Sequence, residues 1–317
     1  MIMRWAPVLL LCGCGGSEIS LGTPPTTTSH DPPPPRSCPE IENRTVAASI
    51  DGDLRALAAC EGTVVAAIVR DGNASLGVLG PEDAAFRTLT AIGAGPSSVA
   101  LDGTHAYATS AEGGEVHRVS LADPSRHRFL LGQFGASSLV LSENVVRWTR
   151  PTDDMVVSFD FEPFTEIAKA AIFPRAHAIA TGPSGTLFVA GAGHVAAMTA
   201  GDAAPRVLAN RCTGGALAVT GDDVLCVDRA DLVRIGPDGA TVVLATGLVG
   251  ARDVVVARGR AFVRHHSESG WAVMAVPLDH VGAATELETV TDGSSAIATD
   301  GCALWFATAG TLVRRKL

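Results

Sequence analysis

The sequence predicts an all-β fold, a seven-bladed β-propeller whose N-terminal strand closes the last blade. Three observations carry that expectation. An apolar alternation, a Gly/Asp turn and a second apolar or aromatic run recur seven times, starting at Leu57, Val99, Leu139, Ile179, Leu217, Val255 and Ile297. The steps between starts are 42, 40, 40, 38, 38 and 42 residues, a unit length at which four short strands fit. No window shows a sustained 3.6-residue period of helical length.

Composition agrees with one packed globule. Of 317 residues, 47% are hydrophobic and 18% charged, which excludes a disordered chain. The net charge is −9 and the only basic cluster is Arg314-Arg315-Lys316, so a cationic nucleic-acid face is excluded as well.

Residues 1–13 read as a lipoprotein signal peptide. Arg4 precedes an apolar run ending in Leu9-Leu10-Leu11, far shorter than the ~20 residues that span a bilayer. Leu11-Cys12-Gly13-Cys14 resembles the bacterial lipobox, with a small residue at −1 and Cys14 as the acylated position. Two or three acyl chains give stable anchoring where one would be marginal. Residues 14–37 form the expected tether, with Pro24-Pro25 and Pro32 to Pro35 keeping it extended. Gly15 supplies no inner-membrane retention signal of the Asp kind, which favours the outer membrane over the inner one.

The propeller is expected over residues 38–317. Arg44-Thr-Val-Ala-Ala-Ser-Ile is a strand-like segment that precedes the first repeat and has no partner of its own. The seventh repeat ends with Thr311-Leu-Val-Arg and lacks a fourth strand. Placing residues 44–50 there closes the ring and removes an open sheet edge. Within the repeats, Glu115-Val-His-Arg-Val-Ser-Leu and Leu232-Val-Arg-Ile read as third strands, and Arg128-Phe-Leu-Leu and Thr241-Val-Val-Leu as fourth strands. Val64-Val-Ala-Ala-Ile-Val and Val254-Val-Val-Ala are near-continuous apolar runs, as strands covered on both faces should be. Ser97-Ser98, Ser137-Ser138, Gly214-Gly215 and Ser294-Ser295 precede first strands, where converging blades leave little room for bulk.

Tyr107-Ala-Thr, Arg147-Trp-Thr and Trp305-Phe-Ala-Thr follow Asp/Gly turns and resemble degenerate Tyr-Trp-Thr-Asp and NHL-type propeller repeats. Behind a lipobox, such repeats are similar to predicted lipoproteins of myxobacteria and their relatives. The acidic position of those repeats is largely lost, Asp228 being the clearest exception, so receptor-like calcium or ligand functions do not carry over. Propellers of this sort include metal-dependent lactonases and a streptogramin lyase, which implies a site at the axial mouth. The corresponding positions supply a candidate ligand-binding rim of Arg55, His177, Asp228, Arg252, Asp253 and His265, with His266 and Glu268 nearby.

The chemistry of the rim is thin. A hard cation needs several converging carboxylates, and only scattered acids occur. His265 and His266 point to opposite faces of a strand, so both cannot easily serve one metal. There is no Gly-x-Ser-x-Gly elbow, and no helix follows Gly191-Ala-Gly-His to offer phosphate its N-terminus. No cofactor, metal or catalytic residue is assigned. His105, His117, His127, His194 and His280 fall in turns or outer strands and read as surface residues, and Trp148, Trp271 and Trp305 read as blade packing.

Removing Cys12 with the signal and acylating Cys14 leaves five of seven cysteines, in an oxidising compartment where pairing is expected. Cys212 lies in the connection to the fifth blade and Cys226 on that blade's second strand, so these two should pair. Cys38, Cys60 and Cys302 gather near the opposite face, where two of the three can bond and the sequence does not choose which. The leading expectation is a monomeric, lipid-anchored envelope module that binds or scaffolds an envelope protein or small ligand. A metal-dependent hydrolase or lyase using the mouth is the alternative.

Overall fold

A computed structural model describes residue 38 and residues 43–290 and 296–317, apart from 143–144, 172, 184, 200–203, 268–269, 283 and 309, with backbone alone at 166–171 and 290. The signal peptide, Cys14, the tether, Glu268 and Ser294-Ser295 lie outside these residues. All regular structure among the described residues is β.

Strand β1 (Arg44–Ser49) precedes the first complete blade, which holds β2 (Asp53–Cys60), β3 (Thr63–Arg70), β4 (Asn73–Leu79) and β5 (Arg87–Ile92). Blade two holds β6 (Pro96–Leu101), β7 (His105–Ser110), β8 (Glu115–Ser120) and β9 (His127–Leu130). Blade three runs through β10 (Leu139–Ser142), β11 (Val145–Arg150), β12 (Met155–Asp160) and β13 (Thr165–Ala171), and blade four through β14 (Ala178–Thr181), β15 (Leu187–Gly191), β16 (His194–Met198) and β17 (Arg206–Ala209). Blade five contains β18 (Leu217–Thr220), β19 (Asp223–Asp228), β20 (Asp231–Ile235) and β21 (Thr241–Ala245). Blade six contains β22 (Asp253–Ala257), β23 (Arg260–Ser267), β24 (Gly270–Pro277) and β25 (Thr285–Val290). The last blade has β26 (Ile297–Thr299), β27 (Ala303–Thr308) and β28 (Thr311–Lys316).

Each blade is a four-stranded antiparallel sheet, and the last is completed by β1, which pairs with β28 from Arg44 opposite Arg315 to Ser49 opposite Thr311. The expected closure is therefore observed. Successive inner strands touch from β2 round to β26 and back to β2, so the ring has no seam.

Among the described residues the core is divided rather than single. Seven apolar clusters fill the seven interfaces between neighbouring blades. Alternation explains the continuous apolar runs: Val64 and Ala66 of β3 pack toward the last blade, while Val65 and Ala67 pack toward blade two. Bulges interrupt the ladder to the outermost strand in blades one, three, four, five, six and seven, twisting edges that would otherwise present flat templates.

All inner strands run from one face of the disc to the other. Their starts define the mouth face, and the hairpin turns after them define the far face. The disulfide Cys38–Cys302 sits at the far face, because Cys302 lies in the turn between β26 and β27. The chain therefore joins the propeller opposite the mouth. Cys60 belongs to neither disulfide, and its side chain packs inward with Ala56 and Val65.

Candidate functional site

A polar cavity of about 220 Å³ opens where the inner strands begin. It is lined by Ser97, Ser98, Ser137, Ser138, His177, Arg252 and Asp253, among others. A larger depression of about 540 Å³ beside it is bounded by Asp154, Arg175, Gly193 and Thr213, and His177 lines both.

The serines do more than leave room. Ser98 Oγ accepts the Leu139 N–H of the next blade at 3.2 Å, and Ser138 Oγ accepts the Ile179 N–H of the blade after at 3.2 Å. Ser97 donates its hydroxyl to the Ala136 carbonyl at 2.7 Å. These bonds brace successive inner strands around the axis, satisfying backbone groups that no ladder reaches. Smallness alone explains Gly214: a Cβ there would lie 2.8 Å from the Val227 carbonyl oxygen. Its neighbour Gly215 has open space.

The six rim candidates share the mouth face but do not form one constellation. His177, Arg252 and Asp253 line the axial cavity. His177 Nε2 lies 2.8 Å from the Gly214 carbonyl oxygen and Nδ1 lies 3.1 Å from that of Arg175. Arg55 is paired with exposed Asp53 on its own strand. Asp228 Oδ1 accepts from the Thr213 hydroxyl at 3.1 Å and caps the connection into blade five. His265 is 7% exposed on the side of β23 that, with Val263, packs against blade five, and burial pushes its ring below the ordinary imidazole value. His266 is exposed, on the opposite face as strand alternation requires.

Two mouth residues escape a sequence reading. Arg264, 6% exposed, donates Nε–H to Asp253 Oδ2 at 2.7 Å and stacks its guanidinium 4.6 Å from the centre of the Trp271 ring. Arg252 approaches the same ring at 5.5 Å. Carboxylate and aromatic face together compensate a cation taken out of water. Trp271 is thus a platform for two arginines as well as packing; its place on β24 beside β23 is the only signal for this. The arrangement offers hydroxyls, a cationic side and one carboxylate, the means to orient a small polar ligand.

Away from the mouth, the surface reading of His117 is overturned. The ring is 3% exposed, because the β8 face carrying it is covered by blade one. Its Nε2 lies 2.8 Å from Glu115 Oε2 and its Nδ1 2.8 Å from His127 Nε2. Burial pushes both rings below the ordinary imidazole value, for His117 against the pull of Glu115. Among the described residues no group of three or more His, Cys, Asp or Glu converges as metal ligands.

The Cys212–Cys226 disulfide is present, with Cα atoms 5.6 Å apart, and so is Cys38–Cys302 at 5.5 Å, both within the usual span.

No protein-family model matches the sequence, and no curated protein matches it. Solved structures are similar in fold. Virginiamycin B lyase from Staphylococcus aureus superposes with a TM-score of 0.70 at 10% identity, covering 86% of this chain and 98% of that one. The β-propeller domain of Cps50 (Swd1) from Myceliophteria thermophila gives 0.68 at 12% identity, covering 87% and 100%. A chain of the mitotic checkpoint complex gives 0.67 at 14% identity, covering 92% and 99%. At such identities the likeness establishes architecture and leaves chemistry to the residues. The chain is a seven-bladed β-propeller.

Proposed function

We propose that the chain is a lipid-anchored binding module of a bacterial cell envelope, held at the outer membrane through Cys14, with its mouth face as the binding surface. The carrying observation is that the tether attachment and the polar cavity lie on opposite faces. The chain joins the propeller at Cys38, beside the turn that holds Cys302, whereas the polar cavity opens where the inner strands begin. A Pro-rich tether of about twenty residues reaches several tens of ångströms when extended. A module built this way presents its mouth away from the lipid, free to take a small polar ligand or an envelope protein.

Retention on immobilised protein tests the reading. Acyl-free Cys14→Ala protein is expected to retain a component of envelope extract that the Cys14→Ala, Arg252→Ala double variant does not. Equal retention by both would overturn the assignment to the mouth. Detergent-phase partitioning tests the anchor separately: wild type should partition and Cys14→Ala should not.

The likeness to virginiamycin B lyase favours a second reading, a metal-dependent hydrolase or lyase at the same mouth. A catalytically inactive histidine-to-alanine variant of that lyase has been solved with quinupristin. Stoichiometric Ca²⁺, Mg²⁺ or Zn²⁺ in purified protein, lost on Asp253→Asn, would favour the enzyme over the binding module.

A further inference from the structure

We propose that His117 and His127 form a binding site for a late first-row divalent metal ion, copper(II) most tightly, with Glu115 as the carboxylate that orients His117. The site lies between blades one and two, away from the mouth.

Proton accounting leads there. An ionised carboxylate only accepts, so the 2.8 Å contact to Glu115 Oε2 fixes the His117 proton on Nε2. Glu115 is itself held by the Gly93 N–H at 2.8 Å. The Nδ1 of a neutral His117 ring then carries a lone pair, and that lone pair faces His127 Nε2 at 2.8 Å. One proton bridges two imidazole nitrogens. A metal ion can take its place once His127 carries its ring proton on Nδ1 instead, where Thr90 Oγ1 lies 3.4 Å away and can accept it.

The distances permit the exchange. Two cis nitrogens each about 2.0–2.1 Å from one metal are themselves separated by roughly 2.8–3.4 Å. The nitrogens need hardly part, but both rings must swing so that their lone pairs meet beside the line that now joins the nitrogens. A carboxylate behind a ligating histidine is the outer-shell arrangement that fixes tautomer and ring orientation in metal sites.

Packing alone does not call for this cluster. His117 faces Ala108 in its blade as Val157 faces Trp148 in the next, and Val157 is 1% exposed. An aliphatic residue fills the equivalent space, so the histidine brings a desolvation cost that packing does not require.

The donor set selects the metal. Two imidazoles without thiolates or converging carboxylates suit neither Ca²⁺ nor Mg²⁺, which need oxygen cages. Imidazole favours copper, nickel and zinc, and the Irving–Williams order puts Cu²⁺ first. His127 is half-buried and Phe129 beside it is 47% exposed, so an ion can approach and water can complete its coordination.

Titration of the full-length protein in detergent with CuSO₄, followed by calorimetry and electron paramagnetic resonance, tests the proposal. One equivalent should bind with nitrogen hyperfine structure from two imidazoles, and ZnCl₂ should bind more weakly. His127→Phe should abolish the signal, and Glu115→Gln should weaken binding about 10- to 100-fold. His117→Val, which copies the next blade, should keep the melting temperature and lose the metal. Binding that survives His127→Phe and His117→Val belongs to other histidines such as His280 and overturns the proposal, as does the absence of any saturable site.

Discussion

Cys38 is disulfide-bonded to Cys302 across 264 positions of sequence, and the bond ties the N-terminal segment to the hairpin turn of the last blade. Alongside it, β1 completes the sheet of that blade by its ladder to β28. Covalent and hydrogen-bonded closure thus meet in the one sheet that β1 and β28 share.

Cutting the covalent tie should weaken closure without abolishing it. Cys302→Ser is expected to cost about 2–4 kcal/mol, the usual range for a native disulfide. Non-reducing thermal unfolding checks this. Deleting residues 38–49 should do more, exposing the β28 edge and causing aggregation; an unchanged melting temperature after that deletion would contradict ring closure by β1.

Asp102 and Asp300 cap equivalent hairpins. Asp102 Oδ1 accepts the N–H groups of Thr104 and His105 at 2.8 and 2.7 Å, and Oδ2 accepts the Tyr107 hydroxyl at 2.8 Å. Asp300 Oδ1 likewise accepts from Cys302 and Ala303 at 2.9 and 2.7 Å, and Oδ2 from Trp305 Nε1 at 3.3 Å. Gly103 and Gly301 follow at φ 84° and 83°, where a side chain would be strained. Asp300→Ala removes acceptors from several partly buried donors and should destabilise by about 2–3 kcal/mol. Asp123→Ala, at an exposed turn, should barely move the denaturation midpoint.

How much could be read in advance follows from what each residue depends on. The Asp-Gly turns and the continuous apolar inner strands are local, and they repeat, so the blade count and the closing strand were legible. Burial of His117 was not, because the face of β8 that carries it is covered by a different blade. The same holds for Arg264: its pairing with Asp253 and Trp271 joins three strands whose register the sequence leaves open. Choosing Cys38 and Cys302 over Cys60 required knowing that the Cys60 side chain points into the interface with blade two.

Acid should destabilise the fold below ordinary histidine pKa values. Burial holds His105, His117, His127 and His265 below 6.5, so the native state binds fewer protons than the unfolded chain as pH falls. Their contribution is fully present above about pH 6.5 and is lost progressively beneath it. For Asp102, burial acts to raise the pKa, but hydrogen bonds from Thr104, Tyr107 and His105 outweigh it and hold the carboxyl below its ordinary value, adding a further loss at lower pH. Urea midpoints measured from pH 8 to pH 5 should fall, and His117→Val should flatten that slope. A midpoint independent of pH over this range would contradict the assignment.

Gly214 sets the mouth through a close backbone approach. A Cβ at Gly214 would meet the Val227 carbonyl oxygen at 2.8 Å and the Val227 Cβ at 2.9 Å, neither of which can yield cheaply. Gly214→Ala should lower the melting temperature and, by displacing the carbonyl that faces His177 Nε2, reduce mouth-dependent retention. Gly215→Ala, with open space around it, should change neither.

The central claim, that binding occurs on the mouth face, is tested most directly by photo-crosslinking in intact cells. Val249, 59% exposed, lies in the mouth-face loop before β22, and Val281, 68% exposed, lies in the far-face loop after β24. A photoreactive side chain is placed at one position or the other in the full lipidated protein. Crosslinked product from position 249 and none from position 281 is the predicted result. Product from position 281 alone would contradict it.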